Sequence, residues 1–134
     1  MTLAVNALQK AIYTRLTSQL STPVYNHVPQ ASAFPYVVIG EKTSAPWRGK
    51  TDDGQECTIT LHVWSNAAGD KECADILVSL YAALDRQEAN VSVTGYTLIL
   101  LECDFTQVLP DYGNDGDPDH YYHGVMRMRA LIQG

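Results

Sequence analysis

The chain has 134 residues, 46% hydrophobic and 18% charged, with nine Lys and Arg against fifteen Asp and Glu for a net charge of −6. That length fits one domain, residues 1–134, able to bury roughly two-thirds of its unfolded surface without a disulfide or metal staple. The acidic balance disfavours non-specific DNA binding, which needs Lys and Arg on phosphates, and no apolar run approaches the roughly 20 residues of a membrane span.

Residues 2–20 read as an amphipathic helix capped by Thr2. Leu3, Ala7, Leu8, Ala11, Ile12, Arg15, Leu16 and Leu20 recur at three- and four-residue spacing. Ser21-Thr22-Pro23 ends it, because proline cannot continue a helix. Val24–Val28 is a short strand, and Phe34–Gly40 a β-branched apolar one with Pro35 at its start, where a missing N–H costs least. In Gly54–Asn66, Cys57, Ile59, Leu61 and Val63 point one way and Glu56, Thr58, Thr60, His62 and Trp64 the other: a half-buried strand. The two runs form a β-hairpin around a long polar loop, Glu41–Asp53, which carries Trp47 beside Arg48. Trp47 either folds back on its own domain or touches a partner.

A second helix starts at Ser65, Asn66 or Asp70, with Asp70, Glu72 and Asp75 where the helix dipole favours anions. Cys73, Ile76, Leu77, Leu80, Tyr81 and Leu84 form its buried stripe, and Arg86 closes it. The strand Tyr96–Thr106 is apolar on both faces in its first half, which predicts a central position, and Glu102 and Asp104 share a face near its end. Asp111–Asp119 is an acidic turn. In the last strand, Tyr121–Ile132, Tyr122, Met126, Met128, Ala130 and Ile132 fall on one face, and His123, Val125, Arg127, Arg129 and Leu131 on the other. The order α-β-β-β-α-β-β predicts an α+β fold: a twisted, mainly antiparallel sheet with both helices on one face and a long β-hairpin loop. The opposite face would then carry His62, Trp64, Arg127 and Arg129, and a polar-aromatic face on a small domain invites a partner.

No constellation points to catalysis, a cofactor or a metal. The segment from Asp111 puts Asp115 and Gly116 at EF-hand positions but Gly113 and Tyr122 where ligands are required, so it reads as a solvated turn. His120 and His123 tend toward opposite faces and no cysteine stands at zinc spacing from either. GxSxG, GxxxxGK[ST] and GxGxxG are absent. Cys57, Cys73 and Cys103 lack a CxxC and sit in apolar segments, so they read as reduced thiols of a cytoplasmic protein. The N-terminus has no basic region followed by an apolar stretch, so no signal peptide is expected. Arg127 and Arg129 would pair with Glu102 and Asp104 if their strands are neighbours.

Taken in order, Leu8–Tyr13, Val24–Pro29, Phe34–Gly40, Leu61–Ser65, Gly69, Asp115-Gly116-Asp117 and the pair Arg127 and Arg129 resemble the tail-completion, or tail-terminator, proteins of long-tailed bacteriophages and gene transfer agents. Pro118 departs from that pattern, where a glycine is expected. The resemblance implies a non-enzymatic homohexameric ring at the head-proximal end of the tail, in contact with the tail tube protein and a head-completion (stopper) protein, with DNA passing the lumen unbound. The protein would be in the host cytoplasm before assembly. Trp47, Arg48, His62, Trp64, Arg127 and Arg129 are the expected subunit or tail-tube contacts. Another connector or tube subunit, a small-ligand or enzymatic α+β domain, and a nucleic-acid-binding module are the competing readings.

Overall fold

The computed structural model describes residues 3–49, 53–111 and 121–134. Elements run α1 (Val5–Gln19), β1 (Val24–Tyr25), β2 (Tyr36–Arg48), β3 (Asp53–Ser65), α2 (Lys71–Leu84), a 3-10 turn (Glu88–Asn90), β4 (Thr97–Asp111) and β5 (Tyr121–Gln133). They form an α+β fold around a five-stranded sheet of order β1-β2-β3-β5-β4, antiparallel except for the β1–β2 pair.

The alternation read in β3 and β5 sets the two faces. Cys57, Ile59, Leu61 and Val63, with Met126, Met128, Ala130 and Ile132, form one buried layer. Both helices seal it, α1 with Leu8, Ala11, Ile12 and Leu16, and α2 with Cys73, Ile76, Leu77, Leu80, Ala83 and Leu84. Gly124 lies under α2, and a Cβ there would come within 2.9 Å of Cys73 Sγ, so only glycine admits this approach of helix to sheet. Among the described residues two polar side chains are buried, Gln55 and Ser65. Gln55 Oε1 accepts from the Ala4 N–H at 2.9 Å, tying the start of α1 to β3, and Ser65 Oγ donates to Glu72 Oε1 at 2.7 Å.

Several expectations change. The long loop is mostly strand: β2 continues to Arg48 and pairs with β3 as far as Asp53. A bulge between Ile39 and Lys42 resets the register, which lets a polar stretch continue the ladder. The strand at Val24 stops at Tyr25. Leu3 and Tyr81 leave the predicted stripes, at 60% and 50% exposed. The Thr2 cap, the turn at 112–119 and His120 lie outside the described residues.

β4 is an edge strand, with β5 between it and β3. Its first half is apolar on both faces in the sequence, yet Ile99 stays 47% exposed there, and the chain leaving α2 covers part of the strand's outer edge. Asp85 Oδ1 accepts from the Cys103 N–H at 2.9 Å, and the Arg86 N–H donates to the Leu101 carbonyl at 2.8 Å. Those contacts occupy the middle of an edge that would otherwise offer free ladder groups.

Candidate assembly surface

The sheet face turned away from the helices holds three groups of side chains. At one end, strand register brings Trp64 opposite His123 and His62 opposite Val125. The Trp64 and His123 rings stack with centroids 3.9 Å apart and planes at 8°. His62 stacks next on His123 at 4.9 Å, and Tyr121 meets the edge of Trp64 at 5.4 Å.

This stack is also hydrogen-bonded. His62 Nε2 lies 2.6 Å from Glu41 Oε1, and His62 Nδ1 lies 2.7 Å from His123 Nε2. A carboxylate only accepts, so His62 Nε2 carries the proton toward Glu41. In the neutral ring Nδ1 then accepts from the His123 Nε2–H. In that neutral state hydrogen-bond donation runs from His123 through His62 to Glu41. Glu41 is held below the usual carboxylate range, first by a backbone hydrogen bond and then by the His62 N–H.

The middle of the face is an ion-pair ladder across β3, β5 and β4. Arg129 Nη1 donates to Glu102 Oε1 at 3.0 Å, and its Nε and Nη2 reach Glu56 at 3.2 and 3.3 Å. Arg127 Nε donates to Asp104 Oδ1 at 2.8 Å, with its guanidinium 5.9 Å from the Phe105 ring centroid. A bulge between Cys103 and Phe105 brings Asp104 into reach. Both arginines are thus neutralised by carboxylates of their own chain, which removes them as a track for phosphates.

At the far end Trp47 lies across Gly54, its partner in the β2–β3 register; a Cβ on Gly54 would fall 2.0 Å from the indole ring. Trp47 is half-buried this way and Arg48 beside it is exposed.

Of the six residues expected at an interface, His62, Trp64, Arg127 and Arg129 share one face, while Trp47 and Arg48 sit at its hairpin end. Sequence reasoning placed His123 on this face without joining it to Trp64 and missed the roles of Tyr121, Glu41 and Phe105. The signal was the register of β3 with β5 and β2 and of β5 with β4, which no count along a single strand supplies.

The geometry defines a small α+β protein with one sheet face sealed by helices and the other paired within itself, an architecture that many unrelated functions share. The comparisons narrow the class. A family model described as tail completion protein gp17 matches residues 7–133. The tail completion protein gp17 of Bacillus phage SPP1 is 31% identical over 135 residues, spanning 97% of this chain and 95% of that protein. A chain from the virion of a native gene transfer agent particle has the same fold, with a TM-score of 0.82 at 21% identity over 100% of both chains. The chain belongs to the gp17 family of tail completion proteins, structural components of phage tails.

Proposed function

We propose that the chain assembles as a homohexameric ring at the head-proximal end of a tail tube, stops the tube's growth and joins it to a head-completion protein. Membership of the tail completion family supplies the machine. The observation that carries the ring is the sheet's two unlike edges, each only partly covered by its own chain. Among the described residues, β1 covers only Val37 and Val38 of β2, and β4 has a strand partner on one side alone. Two different edges on one subunit make a heterologous contact between copies, and such contacts close into rings when the rotation allows.

On this reading Trp47 and Arg48 at the hairpin end, and His62, Trp64, Arg127 and Arg129 on the open face, meet a neighbouring subunit or the tail tube. DNA passes the lumen without specific binding, in keeping with the −6 charge and the self-paired arginines. The role involves no catalysis, and the subunits await assembly in the host cytoplasm.

Absolute mass by light scattering across concentration, alone and with purified tail tube protein, tests the ring. A six-fold mass in either condition is the expected result. A dimer or monomer at every concentration in both conditions overturns it.

A further inference from the structure

A groove of about 420 Å³ runs between α1 and the chain leading into β4, and its chemistry is unlike that of the open face. Lys10, Thr14 and Arg15 on one wall face Asn90, Ser92 and Thr94 on the other, over a floor of Ala7 and Ala11. Every one of those six polar side chains carries a hydrogen-bond donor, and no carboxylate among the described residues lines the groove.

Arg15 is held in place without being neutralised. Its Nε donates to the Ala83 carbonyl at 2.9 Å and its Nη2 to Gln87 Oε1 at 3.4 Å, both uncharged acceptors. Asn90 Nδ2 donates to the same Gln87 oxygen at 2.8 Å, which fixes the opposite wall. Lys10, one turn earlier, forms no ion pair among the described residues, whereas Lys71, Arg86, Arg127 and Arg129 each meet a carboxylate. Two cations without a carboxylate partner among the described residues, beside hydroxyl and amide donors on a chain of net charge −6, have the chemistry that suits a carboxylate.

The chain carries a matching ligand. Residues 111–119 hold Asp111, Asp115, Asp117 and Asp119 and no Lys or Arg. They join β4 to β5 beyond the Asp111–Tyr121 pair, while the groove lies just before the Thr97–Gln133 pair at the other end of the same ladder. At about 3.3 Å per strand residue the two ends are roughly 40–45 Å apart, so a chain's own acidic segment cannot enter its own groove. We propose that the Lys10–Arg15 groove of one copy receives the acidic segment 111–119 of a neighbouring copy, a heterologous contact that sets the copies head to tail. It deepens the ring reading, on which it rests, by naming both halves of one contact.

The test uses the full chain with Asp115→Asn, Asp117→Asn and Asp119→Asn, so that a competing acidic segment is absent from its grooves. A fluorescein-labelled peptide of residues 111–119 is titrated with this protein at low salt, followed by anisotropy. Saturable binding is expected, at least tenfold weaker when Lys10→Glu is added and lost when the peptide's four Asp are Asn. Lys10 is exposed, so circular dichroism should show both proteins folded. Absence of saturable binding, or equal affinity with Lys10→Glu, overturns the proposal. The mass of the unmodified chain separates the two readings. Peptide binding without a ring removes the ring and leaves the contact. A ring as stable in Lys10→Glu as in the unmodified chain removes the contact and leaves the ring.

Discussion

The two faces of the sheet are made by the same residues of β3 and β5, read alternately. The sealed face is held chiefly by apolar area: Ile59, Leu61, Met126 and Met128 are fully buried under α1 and α2. Such adhesion is non-directional and depends on packed volume. The open face is held by directed contacts, from the Trp64–His123–His62–Glu41 stack to the Arg127 and Arg129 ladder. Each contact is modest in water, and together they fix register more than they add stability. One face therefore keeps the subunit folded, and the other can be spent on assembly without endangering the fold.

Substitutions on the sealed face should cost most. Leu61→Ala removes fully buried volume at the centre of the sheet, for an expected loss of about 2–5 kcal/mol in urea unfolding. Gly124→Ala should follow, at about 1–3 kcal/mol, because its Cβ falls 2.9 Å from Cys73 Sγ and 3.1 Å from Leu77. Gln55→Leu should cost a similar amount, about 1–3 kcal/mol, by leaving the Ala4 N–H without its buried acceptor. A neutral outcome for Leu61→Ala would mean that the helices do not seal this face, and the contrast between the faces would collapse.

The open face should answer in the opposite way. Trp47→Ala is expected to leave the unfolding transition nearly in place and to impair ring formation, read by light scattering. Gly54→Ala offers an independent route to the same defect, since its methyl group must displace the indole ring. Unfolding of the Trp47→Ala subunit itself would make Trp47 a core residue. Arg129→Ala should lower the melting temperature less than any of the three core substitutions, because its pairs with Glu56 and Glu102 are only partly shielded from water.

The difference between the faces also explains what the sequence made legible. Period-two alternation in β3 and β5 predicted the buried set before any contact was known, because burial depends on the parity of one strand. The sheet, its two helices and the face carrying His62, Trp64, Arg127 and Arg129 followed. Contacts between strands did not follow, since Trp64 meets His123 only through the register of the whole β3–β5 ladder. β2 was cut short for a related reason. Lys42–Arg48 is polar with Pro46 in it, which locally reads as loop, but it lies at a sheet edge where such residues are tolerated. The central position predicted for β4 rests on its first half being apolar on both faces, but the strand lies at the sheet's edge and Ile99 remains exposed there.

The thiols report the same contrast by reactivity. Cys57 and Cys73 lie in the core, while Cys103, on edge strand β4, is half-buried. Burial raises all three thiol pKa values, with Cys73 pushed up to about 11 from an ordinary 9.0 by burial first and by Asp70 and Glu72 next. The thiolate is the reacting form, so alkylation of the folded subunit near pH 8 should modify Cys103 first and leave Cys57 and Cys73 until unfolding. The same shift ties stability to pH. Between about 9 and 11 the unfolded chain ionises the Cys73 thiol while the folded chain keeps its proton, so the folded state binds more protons and loses stability as pH rises through that window. The unfolding midpoint in urea should therefore fall from pH 9 to pH 11 and fall less in Cys73→Ala. An equal fall in both proteins would place the titration elsewhere. Equal alkylation rates for all three cysteines would show that α2 lifts from the sheet on the labelling timescale, making the sealed face as accessible as the open one.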